Sequence, residues 1–395
     1  MKREELYYFY LILFHIGIGF VIFLFPILAK IYGFSILFLG SYFIIKKQNK
    51  NQEVLLVAAY LVGSEVFLRM TGGTISYEFS KYGVMIFLVM GMYYSGFSKT
   101  AVPYWIFLLL LIPGVILSTF VLNFDTNIRT TIAFNISGPV CLGVASIYTY
   151  RRKIALERMY DIMLCLGLPI ISCMVYLTFY TPNIRDVLTS TQSNFETSGG
   201  YGPNQVATFL GLGMFIFFSR VILNSRTKFM VVINLILAVN ISYRGMVTFS
   251  RGGMITGLLM IMLLLLFLYF KSNLRGKLKL NYIISLIALA LVVIWSYTSF
   301  QTGGLINKRY ANQDAKGRVK QTQLSGREAV AMNEIDLFLR NPVFGVGVAK
   351  GVEVRRAETG NGTLSHDEIT RMLAEHGSLG ILALLILFFT PFILY

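Results

Sequence analysis

The sequence predicts an all-α, polytopic membrane protein with about 12 transmembrane helices. Three observations carry this reading. Of the 395 residues, 55% are hydrophobic and 14% charged, and mean hydropathy is +0.66. The apolar residues come in runs of roughly twenty, the length at which an α-helix crosses ~30 Å of hydrocarbon. The gaps between runs alternate between many and few basic residues, as loops on the two faces of a membrane do.

Taken in order, the spans are expected at 6–25, 27–45, 54–70, 83–98, 102–121, 131–150, 160–180, 204–220, 229–243, 253–270, 280–299 and 377–395. The first run is too long, and too poor in small residues at its end, to be a removable signal peptide, so it reads as a retained span. Alternate gaps hold Lys46, Lys47 and Lys50; Lys99; Arg151, Arg152, Lys153 and Arg158; Arg220, Arg226 and Lys228; and Lys271, Arg275, Lys277 and Lys279. With Lys2 and Arg3 these make 17 cations on one side against seven in the short loops on the other. The N-terminus is therefore expected in the cytoplasm. The chain then divides into a membrane bundle at 1–299, one large extracytoplasmic loop with amphipathic helices at 300–376, and a final span at 377–395. That span lacks the basic flank of the earlier ones, which suggests a truncated chain or a short natural terminus.

The net charge of +16 marks the inner membrane surface rather than a nucleic-acid face, because the cations are spread over alternate loops instead of gathered on one domain. Cys141, Cys165 and Cys173 lie in apolar spans, where thiols act as small hydrophobes, and give neither a disulfide framework nor a metal-thiolate spacing. Glu65 and Arg69, four apart, suit a helix ion pair.

Four polar features stand on the expected outer side. In the long loop, Ser325-Gly326-Arg327-Glu328 is a capping box that opens a helix, with Ala331, Ile335, Phe338 and Leu339 on one apolar face and Asn341-Pro342 at its end. Arg327 sits in the first turn, where a cation opposes the helix dipole, and a rule broken at a defined place hints at function. A second box, Ser365-His366-Asp367-Glu368, opens a helix that merges into the last span, with His366 in phase with Ile369, Leu373, Gly377 and Gly380. His15 and His376 are weaker candidates. Phe249-Ser250-Arg251-Gly252-Gly253 sits at a span end, where paired glycines allow close approach of a ligand or another backbone. Finally, Gly202-Pro203-Asn204-Gln205 enters a span with amides able to bind sugar hydroxyls.

In this order and spacing, Ser250-Arg251-Gly252-Gly253, Gly326-Arg327, the Asn341-Pro342-Val343-Phe344-Gly345-Val346-Gly347 turn, and His366 followed by Leu373-Ala374-Glu375-His376-Gly377 resemble the O-antigen ligase and polymerase superfamily. The Gly202-Pro203-Asn204-Gln205 element is similar to that family's Gly-Asn-Pro-Asn segment. The resemblance is strongest over about 198–385. Asp367 and Thr370 depart from it, standing where the family often has Asn or Ser and Leu.

The resemblance implies a glycosyltransferase at the outer face of the bacterial cytoplasmic membrane, using undecaprenyl-pyrophosphate-linked oligosaccharides as donor and acceptor. Arg251 and Arg327 are then expected to clamp the pyrophosphate, since guanidinium forks bind phosphate oxygens in bidentate fashion. A neutral His366 would be the general base, giving inverted anomeric stereochemistry. Asn204, Gln205 and Arg244 complete the expected substrate contacts. No metal site and no cofactor are expected, and a chain-length regulator is an expected further partner. Polymerisation of repeat units into O-antigen, capsule or exopolysaccharide is favoured on the compact loop. The alternatives are an O-antigen ligase, a protein O-oligosaccharyltransferase, and a lipid-linked sugar transporter; the last would place its polar groups near the bilayer midplane.

Overall fold

The computed structural model describes residues 3–123, 125–320, 327–360, 362–365 and 367–394. Among these the chain is helical throughout. It runs through α1 (Arg3–Leu24), α2 (Leu28–Lys47), α3 (Glu53–Met70), α4 (Phe79–Ser95), α5 (Val102–Val121), α6 (Ile128–Thr149) and α7 (Leu156–Tyr180). After the single turn α8 (Ile184–Val187) come α9 (Pro203–Leu223), α10 (Lys228–Met246), α11 (Arg251–Lys271) and α12 (Leu274–Gln301). The chain ends with α13 (Leu305–Tyr310), α14 (Arg327–Arg340), α15 (Lys350–Thr359) and α16 (Glu368–Leu394).

Each of the twelve expected spans coincides with one of these helices, and the protein is an all-α, multi-pass membrane protein. Ten of the helices are long and apolar enough to cross a bilayer. The other two fall short for plain reasons: α3 carries Glu53, Glu65 and Arg69 within 18 residues, and α4 has only 17 residues, about 25 Å of helix. Glu65 and Arg69 form the ion pair that their spacing predicts, at 2.6 Å.

The chain divides into two compact units: residues 1–40, 55–75 and 155–320 make the first, and 41–54, 76–154 and 321–395 the second. The expected outer loop is shared between them, with α13 in the first and α14 and α15 in the second.

In the first unit α9 is central, packed by α7, α10 and α11 and burying Phe209, Leu210, Ile216 and Phe217. Lipid tails are as apolar as leucine, so helices in a bilayer gain little from burying apolar surface and rely on close packing of small residues. Gly253 of α11 meets α9 in this way: a Cβ there would lie 2.2 Å from the Thr208 nitrogen. His15 is a satisfied packing residue, bonded to the Leu11 carbonyl at 2.7 Å and the Tyr60 hydroxyl at 2.9 Å. By contrast α12 is almost wholly exposed along its length.

In the second unit α5 packs against α16 and α6, and α14 and α15 lie on α16. The last helix is broken within: Gly377 takes φ 62° and ψ −140°.

Candidate active site

In the first unit, two of the expected segments meet. Ser250, the residue before α11, donates its hydroxyl to the Asn204 side-chain oxygen at 2.7 Å, joining the starts of α9 and α11. The backbone contact at Gly253 fixes that meeting, so this glycine serves helix packing, while its neighbour Gly252 faces open space. Gln205 is exposed beside Asn204. Just before Ser250, buried Phe249 holds φ 58°, a conformation that a bulky side chain rarely adopts and that tends to persist where the surroundings impose it.

That strained residue is held by a cation the sequence analysis did not single out. Arg309 on α13 donates from Nε to the Phe249 carbonyl at 2.8 Å and from Nη2 to the Ser193 hydroxyl at 3.3 Å. Arg251 in turn donates to the Arg309 carbonyl at 3.4 Å. Lys320 belongs to the same cluster: burial, and then the nearby charges of Arg309 and Arg251, hold its ammonium below the ordinary lysine range. Burial likewise raises the Tyr310 hydroxyl, against the pull of Arg251 and Arg309. Like charges kept this close are costly, and the Asp314 carboxylate offsets part of that cost at Lys320. Beside the cluster, the Trp295 ring packs edge-on to Tyr310 and forms part of an open groove of about 830 Å³ with Phe300, Ser299 and Asn307.

Arg244 sits elsewhere in this unit. It is buried and donates to the carbonyls of Thr178 at 3.3 Å and Thr181 at 3.1 Å, at the end of α7. Those hydrogen bonds tie the end of α10 to α7, just ahead of the Phe249 turn.

In the second unit, the described part of α14 runs from Arg327, which is exposed. The Ser325 half of its capping box lies outside the described residues. On the expected apolar face Ile335 is 38% and Leu339 68% exposed, and the residues buried within the protein are Glu334 and Leu337. Glu334 sets the phase. It takes up a buried position facing Arg355, Ser365 and Thr370, and a buried carboxylate must be paired.

His366 lies outside the described residues, but its neighbours are placed. Asp367, not Ser365, caps α16, accepting the Ile369 N–H at 3.0 Å, while the Ser365 hydroxyl is used by Glu334. Of the expected inward stripe, Gly377 and Gly380 are buried and Leu373 is half-buried, but Ile369 is exposed; Thr370, Met372, Ala374, Glu375 and His376 are buried as well. His376 packs its ring against Gly114 of α5. Arg371 pairs with Glu368 and Glu375, and the other Glu375 oxygen accepts the Ala349 N–H at 2.8 Å.

The 341–347 turn is laced onto the break in α16. Val346 and Gly347 donate to the carbonyls of Ala374 and Glu375, at 2.8 and 3.1 Å, and Ser378 N–H donates to the Pro342 carbonyl at 2.8 Å. Gly345 has φ 70°, and a Cβ on it would lie 2.5 Å from the Ala374 oxygen, which explains glycine there.

Neither Glu334 nor Arg309 carried a local signal. The Arg309 and Lys320 pair had an indirect one: a span that runs outward should be followed by few cations, yet Lys308, Arg309, Lys316, Arg318 and Lys320 follow it. Among the described residues no group of three His, Cys, Asp or Glu side chains could hold a metal.

Residues 236–385 match the family model described as O-antigen ligase. The match runs from α10 into α16 and takes in Arg251, Arg309, Lys320, Arg327, the 341–347 turn and Gly377; Asn204 and Gln205 precede it. Nothing among curated proteins or solved structures matches the chain.

Proposed function

We propose, from the premise that residues 236–385 carry a domain of the O-antigen ligase and polymerase superfamily, that this membrane protein polymerises undecaprenyl-pyrophosphate-linked repeat units. The observation that carries the reading is the gathering of Arg251, Arg309 and Lys320 beside the Ser250–Asn204 hydrogen bond, inside or next to the matched segment. The superfamily implies glycosyl transfer from lipid-linked oligosaccharides at a membrane, and a lipid pyrophosphate is the anion that such a cluster suits.

In this reading Arg251 binds the donor pyrophosphate, with Arg309 and Lys320 adding charge, and Arg327 supplies the second guanidinium of the clamp. Asn204 and Gln205 bind sugar hydroxyls, and the adjacent groove has room for sugar rings. Arg244 supports them by fixing the end of α10. The acceptor hydroxyl oxygen attacks the donor's anomeric carbon from the face opposite the leaving group, and the bond to pyrophosphate breaks. The bonding electrons leave with the pyrophosphate, where the cations stabilise the developing charge. His366 takes the hydroxyl proton as general base, so the anomeric configuration inverts. No metal is required, and transfer is expected to survive excess EDTA.

The active face is placed outside the cytoplasmic membrane, on the asymmetry of basic loops. A Cys introduced at Ser193 or Asn312 is expected to react with an impermeant reagent from outside, and one at Asn49 or Asn273 is not. The test of function is purified protein with lipid-linked repeat units. Longer lipid-linked glycans establish a polymerase, transfer only to lipid A core or to protein hydroxyls establishes a ligase or oligosaccharyltransferase, and movement across vesicles without bond formation establishes a transporter.

A further inference from the structure

Glu334 of α14 and Arg355 of α15 are the most deeply buried ion pair among the described residues, with side chains only 4% and 3% exposed. Burying two charges costs desolvation that their mutual attraction often fails to recover, and an apolar pair of similar volume commonly serves a fold as well or better. Their contacts point to a use other than stability. One Glu334 oxygen stands 3.6 Å from Arg355 Nη1. The other accepts the Ser365 hydroxyl at 3.0 Å and the Thr370 hydroxyl at 2.7 Å. Arg355 Nη2 donates to the Thr363 carbonyl at 2.6 Å. Between them the two side chains grip Thr363, Ser365 and Thr370, on both sides of position 366 in the sequence.

The grip is not optimised as an ion pair. Arg355 Nε and Nη1 have no hydrogen-bond acceptor despite their burial, and the N–O separation of 3.6 Å is long for a bidentate fork. The carboxylate gives its second oxygen wholly to the two hydroxyls of the 363–370 segment. The guanidinium gives Nη2 to a carbonyl of the same segment.

We infer that Glu334 and Arg355 are positioning residues, which touch no substrate and act by holding the segment that carries His366. The inference rests on the reading of His366 as general base. Misplacing a catalytic group by about 1 Å can cost on the order of 10²-fold in rate, so loss of this grip should lower turnover without weakening donor binding.

The test uses the full chain in nanodiscs with three readouts: turnover, donor dissociation constant, and amide hydrogen exchange of peptides covering 362–370. Removing one charge alone could prevent folding, so the informative variant is the swapped pair Glu334→Arg with Arg355→Glu. It keeps opposite charges together, but an arginine cannot accept from Ser365 and Thr370, and a glutamate cannot donate to the Thr363 carbonyl. Expected are faster exchange confined to 362–370, turnover lower by on the order of 10²-fold, and an unchanged donor dissociation constant. The single variant Arg355→Lys keeps a positive charge opposite Glu334 and leaves the Glu334 carboxylate to the two hydroxyls, and should retain most of the turnover. Full turnover in the swapped pair overturns the inference, as does loss of donor binding in step with turnover. His366→Ala in the same assay separates the two claims. If that variant is fully active, the reading of His366 fails; if it is impaired while the swapped pair is not, only the positioning inference fails.

Discussion

Both units contain ion pairs, Arg69 with Glu65 and Arg318 with Asp314 among those of the first, but two groups of cations, one in each unit, are held in different ways. In the second, charge is answered by charge: Arg340 pairs with Asp336 and Glu358, Lys350 with Glu353, Arg355 with Glu334, and Arg371 with Glu368 and Glu375. In the first, Arg309 and Arg251 donate to backbone carbonyls and a hydroxyl, and both depress Lys320. In the proposed function the first group serves a bound anion, and the second braces the segment around position 366. Arg327, also in the second unit, is exposed and forms no ion pair with another described residue.

The strongest way to break this comparison is His366→Ala. If the second unit supplies the chemistry, transfer should fall by on the order of 10²–10⁴-fold while the donor still binds, measured as separate binding and turnover. Loss of binding instead would move His366 to the anion-binding side of the division.

Next in size are the clamp arginines. Arg251→Ala and Arg327→Lys should each lower transfer by on the order of 10²-fold at matched protein level, because a point charge cannot reproduce a bidentate fork aimed at developing charge. Arg309→Ala should act in the same direction and raise the donor dissociation constant. Near-normal glycan chains from all three would leave these cations a structural role only.

Gly253→Ala sharpens the comparison in another direction. The added methyl would meet the α9 backbone at 2.2 Å, so folded yield and thermal stability should drop, whereas Gly252→Ala, which faces open space, should be silent. Equal behaviour of the two variants would refute the backbone contact.

The smallest effect belongs to Glu353. Burial works against its charged form, but hydrogen bonds from Lys350, Thr126 and the Asn123 N–H hold its carboxyl below the ordinary range. A depressed carboxyl adds stability above its unfolded pKa and loses it as pH falls through the folded one. Glu353→Gln should therefore cost about 1 kcal/mol or less at pH 7, and the difference in melting temperature from the unaltered protein should vanish on acidification.

How much of this was legible in the sequence follows from the range of the forces involved. The spans were, because a run of apolar residues declares a helix without reference to anything distant; even the two that fall short on length or charge are helices. The meeting of Asn204 with Ser250 was not, since 46 residues separate them and only the packing of α9 on α11 brings them together. The buried side of α14 was hidden for the same reason: Glu334 finds Arg355 and Thr370 only after three helices have assembled. In the second capping box the Ser365 hydroxyl donates to Glu334 and accepts the Asp367 N–H, and Asp367 accepts the Ile369 N–H to cap the helix.

The break at Gly377 bears on how the protein is made. A helix interrupted there leaves backbone groups that the next turn would have satisfied, and the 341–347 turn answers them with Val346 N–H, Gly347 N–H and the Pro342 carbonyl. The turn is thus a substitute for helical partners that are synthesised some thirty residues later. While the chain is still emerging from the ribosome, residues 341–347 have nowhere to dock. The second unit can close only once the last helix is in place, so a ribosome stalled before residue 378 would hold a chain with its earlier helices already made and its active segment still unassembled.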